Sequence, residues 1–258
     1  MALDPQSILL TDRVAVVTGA AAGIGRAIAL AFARFGAHVA VCDRDADNLA
    51  VTAREIAAAG RTAVSAVLDV REPELVRRFA DDVRARLTAV DVLVNNAGGG
   101  FMAPFLDVSE KGQDALVREN FGQVSHCIRA VVPLMTTGRG SIINITSIEA
   151  HRAGPGFAVY SAMKAAVVSL TKSLALELGE RMIRVNCIAP DVIPTPGIGE
   201  VAVKTPLPRA GHVDDVAGAA VFLASDLSGF VTGTTIHVDG GNWAAGGWRR
   251  GDGDGFVT

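Results

Sequence analysis

One short stretch limits what this chain can fold into more than any other. Arg13-Val14-Ala15-Val16-Val17 is a β-rich apolar run of the kind that forms a buried parallel strand. It passes directly into Thr18-Gly19-Ala20-Ala21-Ala22-Gly23-Ile24-Gly25 and then into an alanine-rich helical segment reaching about Arg34. A strand, a glycine turn and a helix N-terminus in that order make a diphosphate site. The glycines let backbone approach the ligand, and the free N–H groups of the first helical turn favour negative charge. The spacing is Gly-x-x-x-Gly-x-Gly, which differs from the commonest dinucleotide fingerprint. Gly19, Ala22, Gly23, Ile24 and Gly25 are therefore candidate cofactor contacts.

The remaining chain repeats the strand-then-helix rhythm. A second strand, His38 to Cys42, ends at Asp43, an acid placed to accept hydrogen bonds from the ribose hydroxyls of NAD and to repel the 2′-phosphate of NADP. Arg44 follows and could pair with that phosphate, so NAD is favoured and NADP stays open. A helix from Asp47 to Ala59 stops at Gly60. Strand Ala63 to Leu68 ends at Asp69-Val70, placed to touch an adenine. Helix Glu72 to Leu87 carries the apolar stripe Leu75, Val76, Phe79, Val83. Strand Val90 to Val94 runs into Asn95-Asn96-Ala97-Gly98, where small residues let a cofactor lie against backbone. A long helical segment from about Ser109 to Met135 carries Asn120, an amide that needs a partner if buried. Further strands are read at Ile142 to Thr146, Arg184 to Ala189 and Thr235 to Val238, with helices ending near Leu178 and spanning Val213 to Ala224. The pattern is α/β: a doubly wound parallel sheet of Rossmann type in a single domain over 1–258, with its core at about 10–242 and a glycine-rich tail over 243–258 expected to be mobile at its end.

The chemistry concentrates between Ser147 and Lys164. Tyr160 is the only tyrosine in the 258 residues, and Lys164 lies four positions on, on the same helical face. A free phenol has a pKa of roughly 10, and a fixed ammonium nearby lowers it. That makes proton exchange with an alcohol or ketone practical at neutral pH. Ser147 closes an apolar strand, where its hydroxyl can hydrogen-bond a reacting oxygen.

Composition excludes several alternatives. The net charge is −3 with no basic block, which argues against a nucleic-acid partner. Cys42, Cys127 and Cys187 are far apart and not in metal-ligand spacing, so they read as reduced buried thiols without a metal site. No stretch is apolar for long enough to span a bilayer. The N-terminus lacks the pattern of a signal peptide. A cytoplasmic protein acting on a small molecule is expected.

Over about residues 10–242 these motifs resemble the short-chain dehydrogenase/reductase family. The likeness rests on Thr18-Gly19-x-x-x-Gly23-Ile24-Gly25, Asn95-Asn96-Ala97-Gly98, Asn120, Ser147, Tyr160-x-x-x-Lys164 and Asp239-Gly240-Gly241. The resemblance implies seven parallel strands, nicotinamide cofactor binding, usually a tetramer, and a catalytic tetrad of Asn120, Ser147, Tyr160 and Lys164. In that scheme Tyr160 is the acid/base, Lys164 also binds the nicotinamide ribose, Asn120 holds a water, and Ile193 and Thr195 occupy the positions that hold the carboxamide.

Two departures from the family pattern bear on the substrate. Pro190-Asp191 replaces the usual Pro-Gly. If that position needs a positive φ, aspartate tolerates it better than most residues. Its carboxylate is then expected to contact a polar part of the substrate or to favour the oxidised cofactor. The covering segment after Thr195 is short, which leaves an open cleft and favours a bulky lipid-derived substrate, steroid-like or an acyl thioester. Phe101, Ile148, Glu149, Phe157 and Asp191 are the expected substrate contacts, with Met102, His151, Arg152 and Ile198 nearby. The leading reading is an NAD-dependent oxidoreductase acting on a secondary alcohol or ketone. The alternatives are an NADPH-dependent 3-oxoacyl-thioester reductase and a catalytically silent nucleotide-binding or assembly protein.

Overall fold

The computed structural model describes residues 4–196, 198, 203 and 205–247, and the backbone of 249–250 and 256–257. Seven strands form one parallel sheet: β1 (Val14–Thr18), β2 (His38–Asp43), β3 (Ala63–Val67), β4 (Val92–Asn95), β5 (Ser141–Ile145), β6 (Arg184–Pro190) and β7 (Thr235–Val238), in the order 3-2-1-4-5-6-7. The order reverses between β1 and β4, which pair in parallel with Val16 opposite Leu93. At such a reversal the connecting loops diverge and leave a crevice at the carboxyl ends of the strands.

Alternation along the strands explains the two layers. Ala15 and Val17 of β1 face a core shared with α1 (Gly23–Arg34), α2 (Ala46–Ala58) and α7 (Val213–Ala224); Val14 and Val16 face the opposite core, shared with α3 (Pro73–Leu87), α5 (Gln123–Val131) and α6 (Ala158–Glu177). Phe32, Ile28, Ile142 and Ile143 have no exposed surface. Each such side chain contributes about 1.5–3 kcal/mol on burial. A one-residue slip would exchange the two faces, so this apolar patterning pins the register.

The expected long helix from Ser109 to Met135 is interrupted. α4 (Glu110–Val117) starts at Ser109, whose hydroxyl accepts from Gly112 N at 3.1 Å. A π-helical turn over Arg118–Gly122 separates α4 from α5, and a 3₁₀ turn follows over Val132–Leu134. Asn120 sits in the π turn with no exposed surface. Its side-chain amide donates to Leu116 O at 3.0 Å, the carbonyl one turn back, so the side chain competes with the backbone ladder where the helix widens.

The last element of the core is a four-residue helix, α8 (Asn242–Ala245), after which β8 (Arg249–Arg250) pairs antiparallel with β9 (Phe256–Val257). The tail thus carries a backbone pairing that its glycine content did not suggest.

Candidate active site

The β1–α1 turn is built by backbone packing. Gly19 has φ +67°, and a Cβ on Gly25 would lie 2.1 Å from Gly19 O and 2.4 Å from Asn96 Nδ2, so that position has no room for any other residue. Asn96 ties the turn to β4: its amide donates to Thr18 O and Gly19 O, each at 3.0 Å. The Thr18 hydroxyl accepts from the backbone N–H groups of Asn96 and Ala97, each at 3.1 Å. Ala22 is the N-cap of α1 and has no side-chain cap hydrogen bond. The first N–H groups of a twelve-residue helix are thereby left open to an anion, with Ile24 half-buried behind them. Thr195 lies over the turn, its Cγ2 3.2 Å from where a Cβ on Gly23 would stand, and Ile193 is 3% exposed beneath it.

Asp43 ends β2 as expected. One carboxylate oxygen accepts from Ala21 N at 3.0 Å, and the other accepts from Arg44 N at 2.6 Å and Asp45 N at 3.1 Å. The carboxylate is fixed at the lip of the turn, with lone pairs to spare for two hydroxyls. Arg44 does not point alone into the cleft: its guanidinium pairs with Glu119 at 3.7 Å. Asp69 is held by Arg71 through hydrogen bonds of 3.0 Å and 2.5 Å, which keep its carboxyl below the usual range. Val70 packs half-buried against the core.

The groups of the expected tetrad converge. Tyr160 and Lys164 lie on α6, and Ser147 follows β5. The Ser147 hydroxyl is near enough to the phenol to lower its pKa and accepts from Glu149 N at 3.2 Å. Lys164 is 5% exposed; its ammonium donates to Ile145 O at 3.0 Å and stands 5.5 Å from the Tyr160 ring centroid. Gly98 has φ +152°, and a Cβ there would lie 3.0 Å from Asn120 Oδ1 and 3.3 Å from Lys164 Nζ. Asn120 and Lys164 thus face one patch of bare backbone. Asn120 also donates to Gly99 O at 2.8 Å.

One electrostatic expectation is corrected. The ammonium was expected to acidify the phenol. Burial instead pushes Tyr160 above its ordinary value of 10, the Ser147 hydroxyl pulls it down, and the Glu149 charge pushes it further up. Burial also lowers Lys164 to about 8. Desolvation is the largest cause for both groups, and the ammonium is engaged with Ile145 O.

The expected substrate residues divide into three groups. Phe101 is 49% exposed, and with Phe105, Val108, Leu116, Phe157 and Tyr160 it lines an apolar recess. Phe157 meets Tyr160 edge to face at 6.1 Å. Ile148 is 1% exposed, which places it beneath the site and leaves it no surface for a substrate. Glu149 and Asp191 are engaged by protein groups: Arg152 donates to Glu149 at 2.8 Å and stands 3.6 Å from Asp191, which accepts from Asn242 at 2.6 Å. Asp191 is not among the described non-glycine residues with positive φ, which are Asp12, Thr88 and Met182, so its replacement of glycine involves no left-handed backbone. Of the covering segment, 197, 199–202 and 204 lie outside the described residues. Ile198 is 56% exposed.

Asparagine at Asn95-Asn96 was expected to tie adjacent strands, but the buried polar chain that continues from it was missed. Asn95 donates to Asn144 at 2.8 Å, Asn144 to Thr171 at 2.8 Å, and the Cys187 thiol to Thr171 at 3.1 Å. It ties β4, β5 and β6 to α6, the helix that carries Tyr160. The signal was present: Asn144 interrupts an otherwise apolar strand. Gln123, fully buried and donating to Ala97 O at 2.7 Å, was missed too. Among the described residues no cluster of His, Cys, Asp or Glu could hold a metal, and no helix is long and apolar enough to cross a membrane.

Comparison with known proteins places this geometry. A family model described as enoyl-(acyl carrier protein) reductase matches residues 19–242. The chain is 41% identical to an uncharacterized oxidoreductase of Mycobacterium tuberculosis, over 90% of this chain and 92% of that protein. It is 37% identical to the 3-oxoacyl-[acyl-carrier-protein] reductase of Thermotoga maritima, over 90% and 98%. Among solved structures, 7α-hydroxysteroid dehydrogenase complexed with NADH and 7-oxo glycochenodeoxycholic acid superposes with a TM-score of 0.88 at 35% identity, covering 93% of this chain and 97% of that one.

Proposed function

The chain belongs to the short-chain dehydrogenase/reductase family, and on that premise we propose that it moves a hydride between NAD(H) and a secondary alcohol or ketone on a bulky, lipid-derived body. The observation that carries the reading is the meeting of Ser147, Tyr160 and Lys164 beside the bare backbone at Gly98, where the strand order reverses.

The residues present fit a dinucleotide. The Gly19–Gly25 turn and the uncapped N–H groups of α1 receive the diphosphate, and Asp43 takes the adenosine ribose hydroxyls. Asp69 and Val70 border the adenine. Asn96, Ala97 and Gly98 give a flat backbone floor, and Ile193 and Thr195 hold the carboxamide. Asp43 is fixed at the turn while Arg44 is drawn toward Glu119, an arrangement that favours NAD over NADP.

The bound nicotinamide supplies the hydride acceptor or donor. The chain's own groups do the rest. In oxidation Tyr160 takes the substrate hydroxyl proton in its phenolate form, the form its burial disfavours, and in reduction the phenol returns one. Ser147 hydrogen-bonds the same substrate oxygen. Lys164, held by Ile145 O, hydrogen-bonds the nicotinamide ribose and passes protons toward a water held at Asn120 Oδ1. General acid–base transfer of this kind contributes about 10²–10⁴-fold, and holding the reacting atoms together contributes further. Phe101, half-exposed at the cleft wall, and Phe157 beside Tyr160 offer apolar contact to the body. Exposed Leu176 and Phe230, at 79% and 105%, offer apolar surface for the homotetramer included in this reading. The three buried free cysteines suit a reducing cytoplasm.

A second reading is NADPH-dependent reduction of a 3-oxoacyl thioester; its substrate class is the one in the name of the Thermotoga maritima relative. A spectrophotometric hydride-transfer screen with both cofactors, across hydroxysteroids and 3-oxoacyl thioesters, decides between them. Preference for NAD and a ring alcohol supports the first; preference for NADPH and a thioester replaces it with the second.

A further inference from the structure

Arg44 and Glu119 meet across the crevice. β2 and β4 both flank β1, so their carboxyl ends stand about 10 Å apart. Arg44 follows Asp43 at the end of β2, and Glu119 lies on the π turn. The Arg44 Nη2 stands 3.7 Å from Glu119 Oε1. That same oxygen lies 3.9 Å from where a Cβ on Gly99 would stand, and the Glu119 carbonyl lies 3.7 Å from the corresponding point on Gly98. Glu119 is therefore seated against the backbone that follows β4. Its side chain is 28% exposed and that of Arg44 60%, so the guanidinium reaches from the open side toward the better-buried carboxylate.

The other ions at this corner are matched. Arg71 donates to both oxygens of Asp69, through Nε at 3.0 Å to each and Nη2 at 2.5 Å to one. Arg118 donates to Glu72 at 2.8 Å. Asp43 is held by the backbone N–H groups of Ala21, Arg44 and Asp45. Arg44 thus stands between two carboxylates, Asp43 beside it in sequence and Glu119 across the crevice, and its guanidinium faces the second.

We propose that Glu119 is a positioning residue for cofactor choice: it draws the Arg44 guanidinium to the β4 side of the crevice and so withholds from a 2′-phosphate the cation that stands next to Asp43. On the reading that Asp43 takes the adenosine ribose hydroxyls, on which this role depends, the extra phosphate of NADP sits on one of those hydroxyls and arrives beside Arg44. A guanidinium suits a phosphate because its paired N–H groups match two oxygens. Here it must first leave a carboxylate. With Glu119 in place, two carboxylates face one cation, and an incoming phosphate meets net negative charge. With Glu119 neutralised, Asp43 and Arg44 balance. The run Asp43-Arg44 by itself leaves the arginine open to that phosphate; its partner comes from a distant part of the chain.

NADH fluorescence on the full-length protein measures cofactor binding without substrate or turnover, and NAD and NADP are then competed against it. The comparison takes the parent, Glu119→Gln, Arg44→Gln, the double Glu119→Gln/Arg44→Gln and the double Glu119→Gln/Arg44→Lys. NAD is the internal control, since it differs from NADP by the 2′-phosphate alone and a disturbed π turn weakens both alike.

Glu119→Gln should tighten NADP binding roughly two- to fivefold, the span for a partly exposed ion pair, with NAD affinity within about twofold of the parent. The double variant with Arg44→Gln should lose that gain, and the one with Arg44→Lys should keep part of it. Arg44→Gln alone should change NADP affinity less than it does beside Glu119→Gln. An equal gain with and without Arg44 assigns Glu119 to plain repulsion and overturns the proposal. So does the absence of a gain, or NAD and NADP moving together. A parent that binds neither dinucleotide, or favours NADP, removes the proposed function and this role with it; a parent that favours NAD while the variants coincide with it removes this role alone.

Discussion

The turn after β1 and the rim beyond β5, β6 and β7 border the same cleft but are held in different ways. Around the turn, geometry is fixed by backbone against backbone: Gly25 packs on Gly19 O with no space for a side chain, and Asn96 and Thr18 lace β1 to β4. At the rim, three loops from different strands meet through polar and charged side chains, Glu149 to Arg152 to Asp191 to Asn242. Backbone packing has few solutions and reads as glycine spacing. Side-chain pairing across loops depends on where each loop travels, which no local motif encodes. In the proposed function one end of the cleft takes the dinucleotide, and the other is free to vary with the molecule it admits.

The comparison can be broken most severely between the two regions, at Tyr160. Tyr160→Phe should lower turnover by about 10²–10⁴-fold while leaving cofactor affinity within a few-fold, read by hydride transfer and by calorimetric titration of NAD. Turnover close to the parent would mean that the convergence on α6 is not the reacting centre.

Next in size is the fixed carboxylate at the turn. Asp43→Asn should weaken NAD binding by roughly 10–100-fold, the span for hydrogen bonds to a charged group, and narrow the gap to NADP. Unchanged selectivity would move cofactor choice away from the turn. Gly25→Ala tests the packing claim itself. Its methyl group meets Gly19 O, so stability should fall by about 1–3 kcal/mol in chemical denaturation, with cofactor affinity falling alongside. A fully stable Gly25→Ala protein would show that the turn is looser than its backbone contacts imply.

Smaller effects belong to the layer beneath and to the rim. Asn144→Ala removes the link between Asn95 and Thr171 and should cost about 1–3 kcal/mol of stability, since buried partners are left unpaired. At the exposed wall, Phe101→Ala should raise KM for a bulky substrate by roughly threefold to tenfold with kcat nearly unchanged, the pattern of an interaction equal in ground and transition states. A drop in kcat alone would assign Phe101 to the reacting geometry.

The fold was legible because its signals are local. Each strand read as a short apolar run and each helix as a periodic stripe or a glycine stop, and the structure places all seven strands where those runs lie. The long helix through Asn120 was misread because helical periodicity continues across the π turn; the widening comes from one side-chain amide reaching Leu116 O. The convergence of Asn120, Ser147, Tyr160 and Lys164 was anticipated from spacing and resemblance. The state of the phenol was not, because burial depends on the loops packed above it. Asp191 was read as facing the ligand. The structure shows it holding Arg152 and Asn242, partners 39 and 51 positions away along the chain, without the left-handed backbone that its position suggested.

The sequence by itself determined the strand order class, the glycine turn with its acid at Asp43, and the pairing of Tyr160 with Lys164 on one helical face. These follow from periodicity and from residues a few positions apart, where chain connectivity alone brings groups together. Only the tertiary structure decided how far the phenol is buried and how Glu149, Arg152, Asp191 and Asn242 meet at the rim. Those depend on loops from separate strands arriving at one edge of the sheet, and desolvation and charge pairing take their size from that arrival.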